Sequence, residues 1–136
     1  MRSRLLFVVA LLGLSFASAV AYSDPPRQAV EIYRIAPGQH TEFVKFIALC
    51  DAANKLAGLP PRQLYVHEDG AAWDFLIIQP EDVTPEQSKA LDAAFKKLKI
   101  PQGAKFFVAI RAFMIEHSDT VVSGPTTAAD WLARLD

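Results

Sequence analysis

Four ionisable side chains of this sequence are candidate catalytic residues: Glu31, His67, Asp74 and Arg111. An arginine guanidinium binds a carboxylate through a planar pair of hydrogen bonds, so Arg111 is suited to orient an anionic or enolisable substrate. Glu31, His67 or Asp74 would then act as the general base. The alternative is an ion pair between Arg111 and one of the carboxylates inside a dimer interface. The sequence leaves both interpretations open.

Aromatic side chains complete the candidate ligand site. The residues predicted to bind a ligand are Tyr33, Tyr65, His67, Asp74, Arg111 and Phe113. A tyrosine hydroxyl can donate a hydrogen bond to a ligand oxygen, but a tyrosine serves equally well as an amphipathic wall residue. A lone histidine such as His67, beside a predicted turn, is also common at surfaces and interfaces.

Other kinds of chemistry have little support. The stretch "HSDT" at 117–120 contains the residue types of a catalytic triad, but neighbouring residues of an extended chain point in different directions. A turn at the end of a strand is the better interpretation. His40, His67 and His117 lie far apart without metal-binding spacing, and the glycines are scattered at turns rather than grouped in a phosphate loop. We therefore predict no metal site and no cofactor.

The first residues have the layout of a secretory signal peptide. Arg2 and Arg4 precede the apolar run "LLFVVALLGLSF", and "ASAVA" offers cleavage after Ala19 or Ala21. We expect residues 1–21 to be removed and the mature chain to be periplasmic or secreted. A membrane anchor is the alternative, but the apolar run is short for a span of roughly 20 residues. No membrane span is therefore expected after cleavage.

The remaining chain is long enough for one compact domain. The formal net charge of the full sequence is −1 and no long block of lysine and arginine is present, which argues against nucleic acid as a partner. Cys50 is the only cysteine, so it cannot form an intramolecular disulfide. Its place on the apolar stripe of a predicted helix favours a buried core residue over an intermolecular disulfide or a reactive thiol.

The order of predicted elements is β-α-β-β-α-β. Strands are predicted at 29–35, 63–68, 72–79 and 104–116, and helices at 41–57 and from Thr84 onward. Thr84 can cap the second helix and Gln87 completes a capping box. This order is typical of the ferredoxin-like fold of the α+β class, a four-stranded antiparallel sheet with two helices on one face and the first and third strands in the centre.

The domain is expected to span 29–122, after a leader at 22–28. A C-terminal tail at 123–136 is expected to contain a short amphipathic helix.

Alternation along the strands predicts which side chains share a face of the sheet. A two-residue turn at Asp69-Gly70 would place Tyr65 opposite Asp74. One face would be apolar and packed on the helices. The other would carry Glu31, Tyr33, Tyr65, His67, Asp74 and Arg111 among Ile78, Phe113 and Ile115. Such a face is too apolar for water, so we expect a homodimer that buries it, with Asp74 in a cavity between the two sheets.

The stretch "IYRIAPGQHTEF" contains an alternating strand, Pro37-Gly38 and a helix that opens with Phe43. Together with the element order over most of 29–117, it resembles the dimeric α+β barrel superfamily, which includes antibiotic-biosynthesis-type monooxygenases and NIPSNAP-like proteins. The resemblance implies a barrel formed by two sheets and a small hydrophobic substrate bound between sheet and helices. The activities it implies are diverse, and no catalytic motif carries over residue by residue.

The function we expect is that of an exported domain that binds a small, partly apolar molecule. Two alternatives stay open: a cofactor-independent monooxygenase- or isomerase-like enzyme acting on such a molecule, and a non-catalytic module whose apolar sheet serves only to dimerise.

Overall fold

The computed structural model describes residues 24–70, 72–80 and 82–135, and the predicted signal peptide lies outside these ranges. The elements in chain order are β1 (Arg27–Ile35), α1 (His40–Leu56), β2 (Gln63–Val66), β3 (Phe75–Pro80), α2 (Pro85–Lys97), α3 (Ala104–Arg111), β4 (Met114–Ser123) and α4 (Ala128–Leu132). No helix within the described residues is long and apolar enough to cross a membrane.

The four strands form one sheet in the order β2-β3-β1-β4. Each pair of neighbouring strands is antiparallel, and β1 and β3 occupy the centre. The predicted fold class, α+β with a ferredoxin-like antiparallel sheet, is therefore confirmed.

The segment 104–116 was predicted as a strand, and this prediction is wrong. Its first part forms α3, and β4 begins only at Met114. Phe106 and Ile110 are four residues apart, so α3 turns both toward the core, and Phe113 in the turn after the helix packs there as well. The intervening Phe107 remains 61% exposed. The stretch 117–120, predicted as a turn at the end of a strand, lies instead inside β4.

The β2–β3 connection is longer than the predicted two-residue turn. Val66 pairs with Phe75, and the backbone N–H of His67 donates to the carbonyl of Asp74 over 3.0 Å. The register is thus shifted by two residues from the predicted pairing of Tyr65 with Asp74. A shift of two preserves the alternation, so the division of β2 and β3 into two faces is unchanged.

One face of the sheet, here called the helix face, packs against the helices. Its buried residues Tyr33, Ile35, Phe75 and Ile77 contact Phe43 and Ile47 of α1 and Ile110 of α3. A second cluster, made of Cys50, Ala53, Ala94 and Ile100, joins α1 to α2. The core therefore has two parts, one under α1 and one between the helices.

The predicted mixed face does not exist as one surface. Residues paired across antiparallel strands share a face, and Tyr33 pairs with Phe75 while Glu31 pairs with Ile77. Glu31 and Tyr33 therefore lie on the helix face. Tyr65 pairs with Leu76 and lies on the opposite side, here called the open face. Alternation within each strand predicted which residues share a side of that strand, but it did not predict the register in which β1 pairs with β3.

The start of α2 follows the predicted capping box. The hydroxyl of Thr84 accepts from the backbone N–H of Gln87 over 3.2 Å, and the Gln87 side chain accepts from the Thr84 N–H over 3.0 Å. Pro85 occupies the first helical position, where a missing N–H costs nothing.

Removal of this cap should be measurable. We expect Thr84→Ala to lower the free energy of unfolding by about 1 kcal/mol, because a helix N–H loses its acceptor. Urea denaturation of the two proteins gives the difference. Thr41→Ala is the matched control, since Thr41 is exposed and lies inside α1, and it should change stability by less than about 0.5 kcal/mol. Equal losses in both variants would contradict the role of the cap.

Candidate functional site

A cavity of about 380 Å³ lies between the helix face of the sheet and helices α1, α2 and α3. It is lined by Ala29, Glu31, Tyr33 and Gln79 of the sheet, Ile47 and Cys50 of α1, Leu91 and Phe95 of α2, Phe106 and Ile110 of α3, and Arg62 and Val83 of the connecting segments. Pockets for small molecules are typically this large, mainly apolar, and equipped with a few polar groups. This cavity is the candidate site.

Three polar side chains of the sheet meet in the cavity wall. The Tyr33 hydroxyl donates to Glu31 Oε2 over 2.9 Å, and Gln79 Nε2 donates to Glu31 Oε1 over 2.9 Å. Glu31 and Tyr33 are two residues apart on β1, so they point the same way. Burial, and then the charge of Glu31, raise the pKa of Tyr33 well above its usual value. Tyr33 therefore stays protonated and acts as a hydrogen-bond donor.

Arg62 brings a positive charge to the cavity wall. It lies in the connection between α1 and β2, and its side chain is 11% exposed. Its Nη1 donates to Asp51 Oδ1 of α1 over 2.8 Å. The guanidinium is thus paired from outside the cavity lining, which lowers the cost of burying it.

Cys50 forms part of the apolar wall. It is 1% exposed, as expected for a buried core residue. Burial raises the pKa of the Cys50 thiol to about 11, although nearby Arg62 acts in the opposite direction. The side chain is therefore a neutral thiol at neutral pH and behaves as a small apolar group.

A histidine–aspartate pair lies on the neighbouring strand. His117 Nε2 and Asp119 Oδ1 are 2.6 Å apart, and the ring of His117 stacks on Tyr33 with centroids 4.5 Å apart. Ser118 points away, because it pairs with Ile32 of the open face. His117, Ser118 and Asp119 therefore do not form a three-residue relay. The contact between His117 and Asp119, which are two residues apart, was not predicted from the sequence. The stretch was predicted as a turn, whereas in a strand residues two apart share a face, and that spacing would have predicted the contact.

The other predicted site residues lie outside the cavity. Tyr65 is on the open face, and the ring of His67 packs on Trp73 in the β2–β3 connection, with centroids 4.7 Å apart. Arg111 ends α3 and is exposed, beside His117 in a surface cleft of about 290 Å³. Phe113 packs on Phe43 and Phe46 in the core. The expected grouping of Arg111 with carboxylates on one sheet face is therefore wrong, since Arg111 is on a helix.

Asp74 does not point into a cavity between sheets, contrary to expectation. It directly precedes β3, where its Oδ2 accepts from the Ile35 backbone N–H over 2.6 Å. Its Oδ1 lies 3.2 Å from Nε2 of His40, the first residue of α1. The hydrogen bond from Ile35, followed by His40 and the charge of Arg34, lowers the pKa of Asp74. Asp74 thus joins the end of β1 to the start of α1.

Among the described residues, no group of three or more His, Cys, Asp or Glu side chains is arranged to hold a metal ion.

No family model and no curated protein matches this chain. Solved structures do match it in fold. A NIPSNAP family protein from Agrobacterium tumefaciens str. C58 has a TM-score of 0.50 at 13% identity, over 81% of this chain and 94% of that one. A NIPSNAP domain protein from Burkholderia xenovorans has a TM-score of 0.46 at 16% identity, over 75% of this chain and 96% of that one. Rv0793 from Mycobacterium tuberculosis has a TM-score of 0.49 at 13% identity, over 76% of this chain and 98% of that one. The predicted resemblance is confirmed at the level of the fold.

The lowered pKa of Asp74 predicts a pH dependence of stability. A carboxyl whose pKa is lower in the folded than in the unfolded state stabilises the fold above its ordinary pKa, and this contribution is lost as the pH falls through the folded-state value. We expect Asp74→Asn to be less stable than the original chain at pH 7, with the difference vanishing in acid. Urea denaturation at several pH values measures it. A difference that grows on acidification would contradict this assignment.

Proposed function

We propose that this chain is an exported domain that binds a small, partly apolar molecule in the cavity between sheet and helices, and that it is a homodimer through the open face. The observation that carries the proposal is the cavity itself, with apolar walls around the hydrogen-bonded group of Glu31, Tyr33 and Gln79. Export is supported by the signal-peptide layout of residues 1–21.

The cavity is suited to bind without rearrangement. Both carboxylate oxygens of Glu31 already accept hydrogen bonds from the protein, and Arg62 is held by Asp51. These contacts fix the polar groups before a ligand arrives, so little conformational freedom is lost on binding. An apolar ligand would then gain roughly 25 cal/mol for each Å² of apolar surface removed from water.

The open face supports the dimer. Its accessible apolar members are Ile32, Tyr65, Leu76, Ile78 and Val122, as the strand pairings assign them, whereas Val30 on the same side is only 8% exposed. Tyr65 is 49% and Val122 38% exposed. Apolar patches of this kind mark interaction surfaces, and two sheets packed face to face would cover both copies of the patch.

One observation favours the enzymatic alternative. The pair of His117 and Asp119 has the form of an oriented general base, and it contacts Tyr33, which also lines the cavity. A general base must reach its substrate within hydrogen-bond distance. His117, however, lines the cleft beside Arg111 rather than the cavity. Ligand binding is therefore the better supported function.

Filling the cavity should abolish binding. We expect Cys50→Phe to weaken binding of the apolar fluorophore N-phenyl-1-naphthylamine at least tenfold, because the added ring occupies the cavity. Leu49→Phe is the matched control, since Leu49 is the adjacent residue of α1 and is 37% exposed. Fluorescence titration measures both, and the control should stay within twofold.

Overpacking can cost 1–3 kcal/mol, so Leu91→Phe provides a second filling variant at a partly buried position of α2. Urea denaturation identifies which variants still fold cooperatively. Unchanged affinity in a folded filling variant would contradict binding in this cavity.

A charge on the open face should separate the subunits. We expect the mature chain to show the mass of a dimer in light scattering, and Ile78→Lys to show that of a monomer, because an unpaired ammonium would be buried at the interface. Leu56→Lys is the control, since Leu56 lies at the end of α1 and is 52% exposed. A monomeric original chain would overturn the dimer without affecting the cavity.

A further inference from the structure

A small polar compartment adjoins the main cavity. It has a volume of about 70 Å³ and is lined by Asn54, Leu59, Pro60, Arg62, Gln79, Val83 and Leu91. Arg62, Gln79, Val83 and Leu91 also line the main cavity, so the two spaces share part of their walls. The volume of the compartment exceeds the share of about 30 Å³ that a water molecule takes in the liquid. The head group of a ligand in the main cavity therefore fits into it.

Asn54 offers amide N–H groups to the compartment. The residue lies in α1 and is 4% exposed. Its Oδ1 is buried away from the compartment, whereas its Nδ2 is accessible from it. This Nδ2 donates to no other described residue. A buried donor without an acceptor destabilises a fold, so an acceptor from outside the chain, water or a ligand, must complete the amide.

Arg62 adds further donors. A guanidinium carries five N–H groups, and the only hydrogen bond of this one to a described residue runs from Nη1 to Asp51 Oδ1 over 2.8 Å. The Arg62 side chain is 11% exposed, so bulk water reaches little of it. Its positive charge opposes the rise in the pKa of both Tyr33 and Cys50, which line the main cavity. The guanidinium is thus close to both spaces and has N–H groups left for a ligand.

Acceptors are scarce among the side chains of the compartment. Gln79 donates through its Nε2 to Glu31, which leaves its Oε1 as an acceptor, and the other lining residues besides Asn54 and Arg62 are apolar. Both oxygens of Glu31 already accept hydrogen bonds from the protein. A head group that brings acceptors complements this lining. An ammonium, which only donates, would compete with the N–H groups of Arg62 and meet its positive charge.

The geometry points to a ligand class: a small amphiphile whose head accepts hydrogen bonds from Arg62 and Asn54 Nδ2, while its apolar part fills the main cavity. This inference rests on the proposed function. The accepting oxygen belongs to a carboxylate or to a neutral carbonyl group. A carboxylate gains charge-assisted hydrogen bonds from Arg62, whereas a carbonyl avoids the charge of Glu31. An arginine that orients a ligand was expected from the sequence, but Arg62 takes the place of Arg111.

Four probes of six carbon atoms test the head group. Hexanoate and 2-hexanone accept hydrogen bonds, hexylammonium only donates them, and hexane does neither. Binding to the mature chain at pH 7 is followed by NMR titration. We expect hexanoate or 2-hexanone, or both, to bind at least tenfold more tightly than hexylammonium and hexane. The Nδ2 proton resonances of Asn54 and the Nε proton resonance of Arg62 should shift with the acceptor probe and not with hexane.

Two substitutions remove the donors separately. Asn54→Leu deletes the amide, and Arg62→Met deletes the guanidinium and leaves Asp51, which is 34% exposed and can be solvated. Each should reduce the preference for the tighter acceptor probe over hexane at least threefold. The controls are Gln39→Leu, just before α1, and Arg34→Met, at an exposed arginine of β1 that pairs with a glutamate. Both controls should keep the preference within twofold.

Each contrary result has its own meaning. If hexane or hexylammonium binds the original chain as tightly as both acceptor probes, the acceptor head group is wrong while cavity binding stands. If both variants fold cooperatively in urea denaturation and keep the preference, Arg62 and Asn54 do not hold the head group and the inference is overturned.

The resonances of the original chain decide where a variant does not fold. An acceptor probe that binds without shifting the side-chain N–H resonances of Asn54 and Arg62 overturns the inference. If none of the four probes shifts any resonance of a cavity residue, the proposed function fails as well.

Discussion

The pairing of β1 with β3 decides which side chains this fold places in its cavity. Tyr33 lies opposite Phe75, and Glu31 lies opposite Ile77, so both polar residues turn toward the helices. A slip of one residue would turn them to the open face. Asp74 holds this register, because its backbone N–H donates to the Tyr33 carbonyl over 2.8 Å and its carboxylate accepts from Ile35. A carboxylate outside the cavity thus fixes what lies inside it.

Much of the fold could be predicted because its signals are local. The start of α2 depends on Thr84, Pro85 and Gln87 alone, and the structure forms the expected cap. The segment that begins at Ala104 was less decisive, since its many apolar residues satisfy both alternation and helical spacing. Residues two apart would share a face in a strand, but Ile110 is buried whereas Val108 is 73% exposed, as a helix requires. The segment forms a helix because of tertiary packing, which a local sequence pattern does not show.

The site was harder to predict than the fold, because it depends on contacts between distant segments. Glu31 and Tyr33 were identified as polar residues on a strand, but alternation alone does not predict which residues of β3 they pair with. Arg62 follows a pair of prolines and carries no pattern of its own. Asn54 did leave a signal: it continues the apolar stripe of Ile47 and Cys50 at helical spacing. A polar residue on such a stripe predicts a buried polar group.

The two proposed roles use alternate residues of one strand. Glu31 and Tyr33 of β1 face the cavity, whereas Val30 and Ile32 face the opposite side. The expectation of a ligand between two sheets would have made binding depend on the partner subunit. In this structure the cavity is lined entirely by the chain's own sheet, helices and connecting segments, so binding does not require the dimer. A module that served only to dimerise would need the open face, but it would gain nothing from a cavity on the other side of β1.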